Sequence, residues 1–471
     1  MWVNYKSKKQ MNFILLVVVF FSFNIVQFSN PKTNISVNAA STTGNIFDFA
    51  AAINADSQLF LVYREKDISK DYLKLLKQNI EMKWDLEPTI LLQENATFKI
   101  DGSPSICITE NSTLIVTAFK HNMSSGILLL SKNISSETWI ANKIIDGLNA
   151  NVTDPILQFD DSSNNFWISW LDDHEGVLNQ YLVTTNSLSH WDNITNISLN
   201  TSTINYGCDF IIGSNGNGYF ALSEGMEYHQ QIFFREISPT HTIVQSEEIT
   251  DDTFSDVDPD IVFDSSGLIN VFWTNYTIPN PGEYLGKVSI YSCYKSLSGN
   301  WTEPTKVAPY IPPDRPASGE SDAYNPSVVL DSQNQLWLAY EIVEEYAYHS
   351  GVDIRNRIGS GWQPSSYLSL VTNRATDPLL LSDTTGGIHC FWLDRRQTNV
   401  EIYYRYKYPT GITDELCLTC YKDDNNMFLL TIFGIVVGSA IILTLPTMVL
   451  RYLLRKRNEK IMREKLRDLR E

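Results

Sequence analysis

The sequence predicts an all-β chain folded as a seven-bladed β-propeller. Three observations carry this: a motif repeated at about fifty residues, strand-length apolar runs parted by short polar turns, and an aromatic content of 12 %. In each motif a proline is followed five positions later by an acidic residue, then by an aromatic about nine positions further on. The copies are Pro259, Asp264, Trp273; Pro326, Asp331, Tyr340; and Pro378, Asp383, Trp392, with Pro155, Asp160, Trp170 one residue longer. Weaker copies run from Asp56 to Tyr63, Pro104 to Phe119 and Phe210 to Leu222, so repeats begin near residues 49, 104, 155, 208, 259, 326 and 378. Six or eight blades fit the same spacing, because the first and fourth copies are degenerate.

Each element of a blade follows from local chemistry. Ile261–Phe263, Ser327–Leu330 and Leu379–Leu381 read as inner strands, covered on both faces. Turns rich in Asp, Ser, Gly and Asn lead to second strands, Leu268–Trp273, Gln335–Tyr340 and Gly387–Trp392, whose terminal aromatics can fill the space between blades. Third strands follow at Val288–Tyr294, Val352–Arg357 and Val400–Tyr406, and Trp84, Trp139, Trp191, Trp301 and Trp362 mark fourth strands. The last repeat stops after its third strand, so residues from Thr33 to Phe47 are expected to complete its open edge.

Outside the repeats the chain reads as exported and anchored. Residues 1–39 carry Lys6, Lys8 and Lys9 before an apolar run from Phe13 to Phe23, the pattern of a signal peptide, with an uncleaved N-terminal anchor as the rival reading. The propeller ectodomain is assigned to 40–410 and a Cys-containing stalk to 411–426. A transmembrane helix is expected at 427–450, followed by a basic cytoplasmic tail at 451–471. Arg451, Arg455, Lys456 and Arg457 set the orientation: single-pass in the cell membrane, N-terminal ectodomain outside, C-terminus cytoplasmic. Leu454, Ile461, Met462, Leu466 and Leu469 fall on one face of a helix that would suit the inner leaflet.

The formal net charge is −18, and the tail alone nets +5, leaving the exported part near −23. That balance argues against nucleic acid as a partner and is compatible with cation binding. Asn-x-Ser/Thr glycosylation sequons occur at Asn34, Asn95, Asn111, Asn122, Asn133, Asn151, Asn193, Asn196, Asn200, Asn275 and Asn300. Their crowding before Asn200 leaves blades five to seven as the barer side. Cys417 and Cys420 are expected to form a disulfide with each other or between chains, whereas Cys107, Cys208, Cys293 and Cys390 read as free buried thiols.

The Pro-x-Ile-x-x-Asp-x-x-Gly-x-Ile-x-Val-x-Trp pattern, with Glu401–Arg405 reading Glu-Ile-Tyr-Tyr-Arg, resembles sialidase-like β-propeller repeats of surface proteins over residues 48–408. The resemblance implies the propeller fold more than an activity, since such propellers host both enzymes and binding modules. A sialidase would add an arginine triad, a Tyr/Glu nucleophile pair and Ser-x-Asp-x-Gly-x-x-Trp boxes. Asp264, Asp331 and Asp383 stand in the first turn of each blade instead, and no such triad can be assigned.

Loops at one end of the ring should gather Asp154, Asp258, Asn325 and Asp377 with Asp172, Asp173, His174, Asp394, Arg395 and Arg396, a mixture suited to binding a glycan or protein. Asp256, Asp258 and Asp260 alternate along a strand entry and form a candidate Ca²⁺ site, with no other cofactor indicated. Asp173, Glu175, Glu345 and Asp394 are candidate glycosidase carboxyls. No Ser-His-Asp elbow, phosphate loop or HExxH motif occurs. The main expectation is therefore a surface glycoprotein that recognises an extracellular glycan or protein. A sialidase-like glycoside hydrolase and a structural component of a surface layer are the alternatives.

Overall fold

The computed structural model of the chain describes residues 44–420, apart from short internal stretches, together with Lys456. The expected signal segment and Met427–Leu450 lie outside the described residues, among which no helix is long and apolar enough to cross a membrane. The described residues form seven antiparallel sheets of four or five strands, each built from one continuous stretch of chain. Their first strands are Asn45–Ile53, Ile100–Ile108, Val152–Asp160, Ile204–Ile212, Ser255–Phe263, Ser321–Leu330 and Ala375–Ser382.

The repeated motif has one geometric cause. In the fifth sheet Val257 pairs with Thr274 and Asp260 with Phe272, so Asp258 and Pro259 together face Trp273 alone. The same two-against-one bulge sets Asp154 and Pro155 opposite Trp170, Asn325 and Pro326 opposite Tyr340, and Asp377 and Pro378 opposite Trp392. Asp154, Asp258, Asn325 and Asp377 have φ of 49°, 51°, 49° and 53°, the left-handed region that Asp and Asn tolerate best among residues with a Cβ. Proline has no N–H to lose from the ladder, which is why it is accepted inside a strand at a bulge. The first strands consequently start several residues before the sequence reading placed them: the Asp–Pro pair lies within the strand and not in a loop before it.

Each aromatic opposite a bulge packs onto the preceding sheet. Trp273 joins Tyr219, Ile232 and Phe234 of the fourth sheet, Tyr340 joins Phe272 and Ile290 of the fifth, and Trp392 joins Val352 and Ile354 of the sixth. Trp170 likewise packs with Ile127 and Leu129 of the second. All four rings are at most 1 % exposed, so each interface is sealed by a large apolar group. Nearer the axis, backbone N–H groups two residues past the proline reach across to the previous blade. Leu157 N donates to Ser105 Oγ at 3.0 Å, Val328 N to Asp260 Oδ2 at 2.7 Å and Leu380 N to Ser327 Oγ at 3.0 Å. Ile261 N donates to Asp209 Oδ2 at 3.2 Å.

The motif's acidic residue closes the first hairpin of its blade. Asp264 Oδ1 accepts from Ser266 N and Leu268 N, Asp331 Oδ1 from Gln333 N and Gln335 N, and Asp383 Oδ1 from Thr385 N and Gly387 N, all at 2.8–3.0 Å. This is the Asx turn that makes Asp a turn residue.

The ring closes between its first and last sheets. Ile46, Tyr63 and Trp84 share a core with Phe391, Ile402 and Leu418, while Ile46 N donates to Val400 O and Val400 N to Asn45 Oδ1, both at 3.1 Å. Three expectations are corrected here. The open edge of the last sheet is covered by Gly411–Ile412 and Leu416–Cys417, both paired with Glu401–Tyr408, while Asn45–Phe47 belong to the first strand of the first sheet and residues 33–43 lie outside the described residues. Those same pairings make the expected stalk, as far as Cys420, the outer edge of a blade. Trp139 and Trp301 precede the fourth strands Ile140–Lys143 and Thr305–Ala308, and Trp84 makes a lone bridge to Gln78, whereas Trp362 lies in its strand and Trp191 is outside the described residues.

The Cys417–Cys420 disulfide is formed, within the chain, and Cys107, Cys208, Cys293 and Cys390 are free thiols in four different sheets. Replacing Trp392 by Ala should cost about 3–5 kcal/mol, the usual cost of emptying a large buried aromatic site. Chemical denaturation would measure it, and a loss below about 1 kcal/mol would show that the ring opposite the bulge does not hold two blades together.

Candidate functional site

The four bulges lie at the same end of their first strands, and their side chains converge on one mouth of the ring. Asn325 Nδ2 stands 3.5 Å from Asp377 Oδ1 in the next blade and 3.4 Å from Glu341 Oε2 in its own, which bounds the separation of the two carboxyl oxygens at about 7 Å. Ser103 Oγ lies 3.5 Å from Asp154 Oδ1 across the second and third blades. Asp48 of the first blade feels both Asp377 and Asp154, and Asp258 feels Asp377. Acidic groups from five blades thus share one electrostatic neighbourhood.

Burial, with the charge of neighbouring acids added, raises several of these groups. Burial, with the negative charge of Asp377 added, pushes Asp258 up to about 6. Its residue is open to solvent at the mouth, yet protein closes round the carboxyl on the other sides. Burial also lifts Asp48 to about 6, against Ser103 and Arg64, which pull it down. Glu341 reaches about 7 through burial and the charges of Asp377 and Asp258, partly offset by Asn325. Deeper in the ring Asp209 and Asp260 are both raised, chiefly by burial; the charge of Asp209 adds to the rise at Asp260. Tyr276 and Tyr324 stand beside the acids with ring centroids 5.9 Å apart, and Tyr276 is 37 % exposed.

The second group of expected site residues plays a different part. Asp172 and Asp394 end the second strands of their blades, are 1 % and 3 % exposed, and accept from the backbone N–H two residues on, His174 and Arg396. They cap hairpins. Arg396 also grips Asp394 and Glu415 and lies 4.1 Å over the Tyr403 ring, while His174 Nδ1 is 3.0 Å from Asp172. Asp173 is half-buried in the same hairpin loop, Arg395 is exposed, and Glu345 lies outside the described residues. Asp172, His174, Asp394 and Arg396 thus bond within their own hairpin loops and outer edge, while Asn325 joins Glu341 and Asp377 at the mouth.

The candidate Ca²⁺ residues are not brought together. Asp256 is buried and accepts from Asn275 Nδ2 at 2.8 Å, Asp260 accepts from Val328 N, and Asp258 faces the mouth. The bulge between Val257 and Asp260 breaks the alternation that would have set all three on one face. Among the described residues the one compact group of ligand types is Glu401 with Cys417 and Cys420, whose sulfurs are spent in the disulfide.

Of the sequons, Asn95, Asn133 and Asn300 are exposed and Asn196 is half-buried. Asn275 is 4 % exposed, and its amide donates to Asp256 Oδ1 at 2.8 Å. Asn34, Asn111, Asn122, Asn151, Asn193 and Asn200 lie outside the described residues.

Asp48 and Glu341 are the site residues that sequence reasoning missed. Glu341 follows Tyr340, at the position held by Leu171, Thr274 and Leu393 in other copies, so aligning the repeats on their aromatic would have singled it out. Asp48 sits beside a bulge formed without proline, at Phe47, and carries no such signal.

No protein-family model matches the chain, and no curated protein matches it. Solved structures do. A polysaccharide lyase of family PL25, an ulvan lyase, superposes with a TM-score of 0.50 at 13 % identity, over 66 % of this chain and 81 % of that one. An α-L-arabinofuranosidase from Fusarium graminearum gives 0.45 at 10 % identity over 80 % and 96 %, and the propeller domain of the Trilobed protease from Pyrococcus furiosus gives 0.46 at 10 % over 81 % and 100 %. This chain is a β-propeller. At such identities the likeness speaks for the propeller fold alone, and what the mouth does has to be argued from its own residues.

The raised acids set the pH dependence of the propeller. A carboxyl whose folded pKa exceeds its unfolded value stabilises the fold below the unfolded value, and that contribution is lost as pH rises through the folded one. For Asp48, Asp258 and Glu341 the window runs from about pH 4 to about pH 7. Glu341→Gln should therefore melt higher than the parent at pH 8 and gain less near pH 4. Melting curves at the two pH values decide it, and an equal shift at both would mean that Glu341 is not held protonated by its surroundings.

Proposed function

We propose that the protein is a glycan-acting enzyme whose site is the acidic mouth of the propeller, with Glu341 as proton donor and Asp377 as the second carboxyl. The carrying observation is the pair itself: two carboxyls from adjacent blades on either side of Asn325, within about 7 Å, at an opening wide enough to leave Asp377 exposed. Cleavage of a glycosidic bond needs one carboxyl that keeps its proton near neutrality and a second facing it, at about 5–9.5 Å depending on stereochemistry. A value of about 7 suits Glu341 to the first role. Asn325, fixed by its bulge and by its own N–H to Thr274 Oγ1 at 3.1 Å, would hold the spacing.

We infer further that this activity stands on a closed seven-bladed, sialidase-like propeller, exported, glycosylated and tethered by the apolar segment 427–450. It is supported by the seven sheets, the shared core of the first and last, and the basic residues that follow the segment. A second reading, recognition of a glycan without cleavage, is favoured by Tyr276, whose half-open ring beside the acids offers a face on which a sugar can stack.

Incubating the protein with a panel of oligosaccharides and following product masses tests the proposal. Cleavage should fall by about 10²-fold or more in Glu341→Gln, the usual weight of a general acid. The parent rate should decline above about pH 7 as Glu341 loses its proton. Retained binding without a mass change, in the parent as in the variant, would favour recognition.

A further inference from the structure

A second concavity lies at the other end of the ring, between the sixth and seventh blades. It encloses about 360 Å³ and is lined by Gln335, Trp337, Asn356, Ser366, Lys407 and Tyr408 among others. That volume falls within the range of about 300–1,000 Å³ typical of small-molecule sites. Asp331 and Gly386, in the first-hairpin turns of the two blades, also border it, whereas the mouth residues sit at the opposite ends of the same strands.

Its chemistry is distinctive in a chain of net charge −18. The Asp331 carboxylate is spent inside the wall, accepting Gln333 N, Gln335 N and, at 2.8 Å, Trp337 Nε1. Arg355 is held by the carbonyls of Gln363 and Val307, its charge buried in the floor. Lys407 Nζ stands 5.3 Å over the Trp337 ring and, among the described residues, has no carboxylate within ion-pair distance. The lining therefore carries two cations against one anion, the anion already saturated. Around them stand the amides of Gln333, Gln335 and Asn356, and Tyr408, which is 38 % exposed. Amide donors, an aromatic wall and a free ammonium are the set that recognises a sugar ring bearing a negative group.

We infer that this groove is an accessory binding site for an acidic saccharide, with Lys407 receiving the carboxylate or sulfate and Tyr408 flanking the ring. The inference rests on the reading of the protein as glycan-acting only for the class of ligand, since the groove shares no residue with the mouth. An acidic polymer could then be held on one end of the propeller while the mouth at the other end meets a separate stretch or a separate chain.

Calorimetric titration of the full chain with tetragalacturonate, and with an uncharged tetrasaccharide as control, tests it. The parent should bind the acidic probe and not the neutral one. Lys407→Gln should weaken binding about ten-fold, the loss of one charge-assisted hydrogen bond, and Tyr408→Ala should weaken it too, while Glu341→Gln leaves it unchanged. Equal affinity for the two probes, or no effect of Lys407→Gln, would overturn the assignment. Binding lost in Glu341→Gln but kept in Lys407→Gln would place the saccharide in the mouth, leaving that reading intact and this one refuted. Unaltered melting temperatures for the two groove variants would exclude unfolding as the cause.

Discussion

The propeller depends on a local irregularity, a left-handed Asp or Asn followed by proline, placed opposite one large aromatic in four of its first strands. A regular strand would set every backbone group into the ladder and run straight. Two residues against one bend the strand and free the proline from a donation it cannot make. The aromatic across the bulge is then wholly buried against the blade before it. Substituting that aromatic removes contact area from two blades at once, and in a closed ring no blade has another partner to turn to.

The same irregularity builds the mouth. A strand residue in the left-handed region turns its side chain away from the ordinary alternation, and four such residues at equivalent positions bring three acids and an amide from separate blades to one place. Like charges so gathered, and partly stripped of water, cannot all ionise at their usual values. Stability is given up near neutral pH at Asp48, Asp258 and Glu341. The gain is carboxyls able to carry a proton where most carboxyls have lost it.

Much of this was legible in the sequence because the repeat shows directly what recurs. The Pro, Asp and aromatic spacing reported blades, turns and even the convergent set Asp154, Asp258, Asn325 and Asp377. What it could not report was which acids face outward. Asp172 and Asp394 look like site residues by type and place, but their oxygens are taken by N–H groups two residues along, a choice that depends on backbone angles and leaves no mark in composition. The alternation of Asp256, Asp258 and Asp260 is hard to read for a similar reason, since one inserted bulge changes which face a residue serves. Glu341 went unseen because it departs from the repeat, and a search for what is shared passes over what is singular. The outer edge of the last blade was misplaced because strands of two residues carry too little pattern to be read.

The last blade also fixes how the chain leaves the ring. Gly411–Ile412 pairs beside Lys407 and Tyr408, Leu416–Cys417 beside Tyr404 and Tyr403, and Leu418 N bonds to Ile402 O, so this outer edge runs from the groove end back toward the mouth end. The disulfide to the buried Cys420 pins the exit there. Whatever follows residue 420 therefore departs from the rim around the acidic mouth. The outermost strands of the last blade thus end beside the acidic mouth and begin beside the groove, so that the two ends of the ring differ in what the chain itself places next to them.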